Sequence, residues 1–319
     1  MNPEDCWFSH PDEWHPLLER WAQQFPDRVR LHAFPQFGGQ VVRGLTLGDA
    51  GAERPVRLLA AVPHAHEPAP TAALVDLAFQ LLTGAHADGA RAALDSERIL
   101  GHCLLTLLPD TNSQGRARSP SRVWNGAVDN DEFLKVAFGE AADGNRFGRY
   151  PEWRFADHSP RRVGIVYEEV EPGFWVESNT SRRSTHTRAL DTLFADYQFT
   201  HYLDLHQHEG DEAALFPAVF DDLPPDRQAG IRAWAEALLA GWEAAGIRHK
   251  GSYIPYRGQP RQQFFKDYWA GRCPGMQKLT SESRNNRHSQ TDEPTPLGRQ
   301  FLSAAAAIRA TLEHLTGSG

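Results

Sequence analysis

Cysteine is scarce. Cys6, Cys103 and Cys273 are widely spaced and odd in number, which argues against a disulfide framework, and no C-x-x-C pair offers a thiolate metal site. Long apolar runs are also missing: no window reaches the ~18 consecutive apolar residues of a membrane-spanning helix. Positive charge is in deficit, with a net charge of -8 and a pI near 6.0, so no nucleic-acid partner is expected. The local basic stretches "RRSTHTR" and "ESRNNRH" read as solvated loops. The opening "MNPEDCWFSHPDEW" has neither the basic n-region nor the apolar h-region of a secretory signal, and a cytoplasmic enzyme is the expected reading. No repeat of fixed period and no long polar linker interrupts the chain, so residues 1–319 are expected to form a single catalytic domain. The oligomeric state stays open.

What is present is an ordinary globular composition, 40% hydrophobic and 23% charged, with fifteen histidines. That histidine count favours metal or acid–base chemistry over a passive scaffold. "HPDEWHPLLERWAQQFP" places apolar residues at helical spacing and closes on Pro26. "RVRLHAF" and "QVVRGLTLG" alternate as a strand pair around Gly38 and Gly39. "PVRLLAAVP" and "ILGHCLLTLLPD" have few polar positions and read as strands covered on both faces. "TAALVDLAFQLLTG" is a helix closed by Gly84. Residues 109–160, rich in Gly, Asn, Ser, Arg and Pro, read as long functional loops with little regular structure. Then follow a helix "ALDTLFADY", a strand "THYLDLH", a helix over 224–246, a short strand "MQKLTSES" and a closing helix from Thr295. The alternation predicts an α/β fold: a mixed, mostly parallel twisted sheet with helices on both faces.

In open α/β sheets, ligands bind outside the carboxyl ends of the strands. His64 and Glu67 follow one predicted strand, His206 ends a second, and Glu282 comes at or just after a third. Catalytic zinc uses three nitrogen or oxygen ligands and keeps one position for water. A His-x-x-Glu pair supplies two ligands from one short loop, and a histidine from a neighbouring strand supplies the third. Taken singly, the loop residues read as a polar cluster, His206 as a core histidine and Glu282 as an exposed strand-end acid. Their order along the chain changes that reading.

These residues resemble the zinc carboxypeptidases, the carboxypeptidase A-like metallopeptidases. "LERWAQQFPDRV" followed by "GGQVVRGLTLG" is similar to the family's opening helix and hairpin. The family's H-A-R-E metal loop is matched by His64-Ala65-His66-Glu67, its second histidine motif by Asp204-Leu205-His206, and its T-x-E strand by Thr280-Ser281-Glu282. The likeness runs from about residue 10 to 310. It implies a zinc-carboxypeptidase-like fold, Zn2+ held by His64, Glu67 and His206, and Glu282 as general base. Asp204 either orients a ring nitrogen of a nearby histidine or caps a turn.

The substrate side departs from the family. "TNSQGRARSPSRVWNGAVDNDEF" looks like a degenerate copy of the segment carrying the family's polarising arginine and its Asn-Arg carboxylate clamp. The resemblance puts Arg122 nearest the polarising position, with Arg118 second. Asn130 matches the clamp asparagine, but Asp131 follows it, and His66 replaces an arginine of the metal loop. A carboxylate beside a bound carboxylate repels it, whereas arginine grips it bidentately. Either Asn145-Arg146 is a displaced clamp, or the substrate offers a neutral or cationic group. The family's mobile tyrosine is matched by Tyr256, with Tyr253 behind it, and its side-chain pocket position by Asp267; His208 and Glu209 either line the pocket or are exposed. The implied function is zinc-dependent hydrolysis of a peptide or small amide substrate. A deacylase of N-acyl amino acids and a catalytically silent, metal-retaining binding protein are the alternatives.

Overall fold

A computed structural model describes residues 1–49, 51, 54–210, 212–255, 268 and 270–317. In chain order its elements are α1 (Pro11–Gln24), β1 (Val29–Pro35), β2 (Val41–Leu47), β3 (Val56–Ala61), α2 (Pro68–Thr83), α3 (Ser96–His102), β4 (Cys103–Leu108), α4 (Ser113–Ala117), α5 (Asn130–Phe138), β5 (Gly139–Glu140), β6 (Glu152–Arg154), β7 (Arg162–Val163), β8 (Tyr167–Glu171), β9 (Phe174–Glu177), α6 (Thr185–Tyr197), β10 (His201–His208), β11 (Ala214–Pro217), α7 (Pro225–Ala244), β12 (Gln277–Arg284) and α8 (Leu297–Thr316).

A seven-stranded sheet runs β1-β2-β4-β3-β10-β12-β11. The four central strands, β4, β3, β10 and β12, are mutually parallel, and the flanking pairs are antiparallel. From β3 the chain crosses through α2 to β4 on one side, and later it returns to β10 on the other. The strand order therefore reverses between β3 and β10, and a crevice opens beyond their carboxyl ends. Burial explains the unbroken apolar runs of β3 and β4, because helices cover both faces. Trp14, Leu77, Trp234, Trp242 and Phe301 bring α1, α2, α7 and α8 onto one face. Leu190, Leu193 and Phe194 of α6 cover Leu59, Ala61 and Leu104 on the other. Gly84 ends α2 in the left-handed conformation, with φ 73°, that a glycine C-cap adopts without steric cost.

Two parts differ from the expectation. The segment "ILGH" is helical, belonging to α3, and the strand starts only at Cys103. Asp95 caps that short helix by accepting from the Arg98 amide, a local signal that outweighs the apolar run. The stretch expected to be irregular over 109–160 contains α4, α5, β5 and β6. Asp129 caps α5 through the Glu132 amide, and β6 joins β8 and β9 in a three-stranded sheet. Phe147, Trp153, Val166 and Tyr167 give this excursion a small core of its own. Among the described residues, no helix is long and apolar enough to cross a membrane.

The fold also holds part-buried histidines in neutral form. Burial pushes His15, His32 and His201 down to about 4. An unfolded histidine titrates near ~6.5, so between about pH 6.5 and about pH 4 the unfolded chain binds more protons. The stability these rings contribute is thus fully present above pH 6.5 and is lost as pH falls. Each ring adds a slope of up to about 1.4 kcal/mol per pH unit. Urea unfolding followed from pH 7.5 to pH 4.5 is expected to show this decline, with a shallower slope in His32→Gln; an unchanged slope in that variant contradicts the assignment.

Candidate metal centre

β3 ends at Ala61 and α2 begins at Pro68, so His64, His66 and Glu67 occupy the turn between them. Pro68 and Pro70 fix the start of α2 with backbone angles already helical. Glu67 is the N-cap residue of α2, yet its side chain makes no capping hydrogen bond. A cap carboxylate ordinarily bends back onto the first-turn amides. This one reaches two imidazoles instead: Oε1 lies 3.0 Å from His64 Nδ1, and Oε2 lies 3.0 Å from His206 Nδ1. The two Nδ1 atoms are 3.1 Å apart. All three residues are buried. His206 belongs to β10, where it sits two residues before the strand end, and Glu282 belongs to β12. The two are register partners in a parallel ladder, so their side chains leave the same face of the sheet side by side. Glu282 Oε2 is shielded from solvent and has no hydrogen-bond partner among the described residues.

The far side of each ring sets its tautomer. His206 Nε2 is 3.1 Å from Asp204 Oδ1, and His64 Nε2 is 2.8 Å from Glu177 Oε1. An ionised carboxylate can only accept, so Nε2 carries the proton in both neutral rings and Nδ1 presents a lone pair. Two lone pairs and the Glu67 carboxylate then face one another at hydrogen-bond distance, a repulsive arrangement that a cation resolves. Charge counting agrees. Asp204 Oδ2 accepts from Lys278 Nζ at 2.5 Å, and Glu177 Oε1 accepts from Arg149 at 3.1 Å. Among the described residues, Glu67 makes ion-pair contacts only with imidazoles, and the buried Arg116 acts on it through space. Burial opposes its charge, but His64 and His206 hold its carboxyl below the usual range. Burial likewise pushes His206 down, and Asp204 with Glu67 outweighs it and holds the ring well above the ordinary value. Two imidazoles and one carboxylate are a donor set that zinc takes, and the residues present fit that ion.

His66 lies in the same cluster. With His64 and Glu67 it offers ligand atoms within 4.8 Å of one another, its Nε2 being 3.5 Å from Glu67 Oε1. His206 approaches both other donors more closely, which favours it as the third ligand. Burial pushes His66 down to about 3, and its ring meets Phe138 edge-on at 5.2 Å. A second group, Cys6, Asp76 and His86, has another explanation. Asp76 already accepts from His86, Gln80 and the Ala87 amide at 2.8 Å each, which ties a loop to α2.

The remaining sequence candidates fall in different places. Arg122 pairs with Glu13 of α1 at 2.6 Å and is half exposed. Arg118 donates to the carbonyls of Gly164 and Tyr167 and lies over the Trp175 ring. Asn130 donates to the Arg287 carbonyl and accepts from Asn286, while Asp131 turns out to Lys135 at 2.7 Å. The structure therefore does not bring Arg122, Arg118, Asn130 and Asp131 together around the metal loop. Asn145 and Arg146 are exposed on the excursion, Asn145 donating to Asp143. Tyr256 and Asp267 lie outside the described residues. Burial, then the charges of Glu282 and Glu67, push Glu209 up to about 7.

Sequence reasoning missed Glu177 and Arg149. Glu177 ends β9, 113 residues from the ring it supports, and nothing local marks it. Arg149 lies over the Phe138 ring with its centre 4.8 Å away, which places a cation beside His66 and Glu177. Gly115 also matters. A Cβ there would fall 2.0 Å from the Ile165 carbonyl and 2.9 Å from Ala65, so only glycine lets this turn pack against the metal loop.

No family model and no curated protein matches the chain. Solved structures do. A metallo-carboxypeptidase from Burkholderia cenocepacia aligns with 97% of this chain and 70% of its own, at TM-score 0.56 and 15% identity. Carboxypeptidase A from Helicoverpa armigera aligns with 97% of this chain and 74% of its own, at TM-score 0.58 and 13% identity. A metallo-carboxypeptidase from Pseudomonas aeruginosa, solved with (2-guanidinoethylmercapto)succinic acid, aligns with 93% of this chain and 68% of its own, at TM-score 0.52 and 16% identity. The architecture is that of the metallo-carboxypeptidases, and the likeness is one of fold. It extends over nearly the whole chain.

Partners that orient a metal-bound histidine typically contribute ~10–100-fold to metal affinity. Glu177→Gln and Asp204→Asn are each expected to weaken zinc binding by about that factor, and His206→Ala to abolish stoichiometric binding. Zinc content after dialysis against a graded chelator series measures all three. Undiminished retention in His206→Ala would remove it from the ligand set.

Proposed function

We propose that the protein is a zinc-dependent hydrolase that cleaves a peptide or amide bond with water. The observation that carries this reading is the triangle of His64, Glu67 and His206 donors at 3.0–3.1 Å, with Glu282 on the neighbouring strand at the register of His206. When bound, a zinc ion supplies Lewis acidity and lowers the pKa of a water from about 16 towards roughly 7. The chain supplies the rest. Glu282 has an oxygen with no competing hydrogen bond, so it can take the proton of the attacking water and return it to the leaving nitrogen. His64 and His206 are kept in one tautomer by Glu177 and Asp204, which keeps three donors aimed at one point.

Substrate holding is where this chain departs from a carboxypeptidase. With Arg122 paired to Glu13 and Asp131 to Lys135, two described arginines stand beside the metal loop, the buried Arg116 and Arg149, 37% exposed; Arg149 is the one open to solvent. It is the group we assign to an anionic part of the substrate. A deacylase acting on an N-acyl amino acid or similar small conjugate is the second reading. It is favoured by Asn130, whose amide is already used by the loop that follows β12.

Glu282→Gln is expected to lower kcat by roughly 10²–10⁴-fold with zinc content unchanged. Activity is measured on peptides with free and amidated C-termini and on N-acyl amino acids. Near-normal turnover by Glu282→Gln sinks the mechanism. Preference for the N-acyl compounds selects the deacylase, and preference for free over amidated C-termini selects the carboxypeptidase-like enzyme.

A further inference from the structure

Past the end of β12 the chain runs through residues 285–296 into α8, and a cavity of about 390 Å³ opens beside this turn. Arg248, Arg284, Arg299, His288, Ser303 and Glu293 are among the residues lining it. Among the described lining residues, three arginines stand against one glutamate, in a chain whose net charge is -8. The arginines differ in how far they are engaged. Arg248 pairs with Glu212 at 3.4 Å, and Arg299 donates one nitrogen to the Gly246 carbonyl at 2.7 Å. The Arg284 guanidinium forms no hydrogen bond or ion pair with any described residue.

Two further observations point the same way. The 20-residue helix α8 starts from Pro296, itself in the lining, with no side-chain cap. The Arg299 amide turns to the Pro296 carbonyl, and the positive end of the helix dipole borders the cavity at Pro296. Ser303 is 4% exposed, and its hydroxyl, also in the lining, has no hydrogen-bond partner among the described residues. Buried hydroxyls are normally paired. A guanidinium and a buried hydroxyl without partners among the described residues, beside the positive end of a helix, suit an anion.

We propose that this cavity binds a small molecule bearing a phosphate or carboxylate group, gripped by Arg284 and Arg299 at the start of α8. The site is distinct from the zinc ligands and does not depend on which bond the metal centre cleaves.

The test is calorimetric titration of the zinc-loaded full chain with inorganic phosphate and, separately, with glutarate, at ionic strength held constant with sodium chloride. Saturable one-to-one binding of at least one probe is expected, and which probe binds tells a phosphate ligand from a carboxylate ligand. Arg284→Gln and Arg299→Gln should each weaken that binding about tenfold or more, while Arg161→Gln, an exposed residue paired with Glu140, should leave it unchanged. Zinc content and thermal midpoint confirm that each variant is folded; should Arg284→Gln fail to fold, Arg299→Gln on the surface of α8 carries the comparison. Absence of saturable binding by both probes overturns the proposal. So does unchanged affinity in the Arg284→Gln/Arg299→Gln variant, which would place the anion at the metal.

Discussion

Three buried carboxylates close to one another require three counter-charges, and the centre is organised around that requirement. An isolated buried carboxylate is far too costly to leave alone. Asp204 has Lys278, and Glu177 has Arg149. Glu67 has no ion pair with a described arginine or lysine: the buried Arg116 acts on it only through space, and its contacts are imidazoles. A positive charge from outside the polypeptide, as a metal ion or a proton, would complete its neutralisation. The raised affinity of His206 for a proton is the metal-free expression of the same deficit. The supporting pairs do double duty: each neutralises its own carboxylate and locks the tautomer of one ligand.

Sheet topology turns that local chemistry into a site. A turn after β3 and a residue within β10 meet because the strand order reverses between those strands. The parallel register then carries Glu282 of β12 to the level of His206 without any loop. The ladder between the two strands spaces side chains at one level, so the proposed base and the proposed third ligand share one frame. The excursion between β4 and α6, which carries Arg149, lies outside that parallel ladder.

How much was legible follows from the same division. Apolar runs bounded by glycine and proline marked β3, β10 and their covering helices, and strand-end histidines and glutamates marked the centre, because short-range pattern encodes both. Glu177 was illegible: its role exists only once β9 has folded back over the metal loop. Counting from turn motifs puts Arg122 nearest the polarising position, and counting cannot see that Glu13 of α1 stands within reach of its side chain. The pairing of Asp131 with Lys135 depends on α5, which a reading of 109–160 as loops does not contain. Short capped helices such as α3 and α5 carry their signal in a single aspartate, which composition over a long window hides.

Because the ring of His64 is steadied from β9, the ion's seat is incomplete until the three-stranded excursion has docked. On the proposed ligand set, a chain in which β9 has not docked keeps the turn residues but lacks the carboxylate that holds His64 Nε2, so tight capture of an ion would depend on that docking.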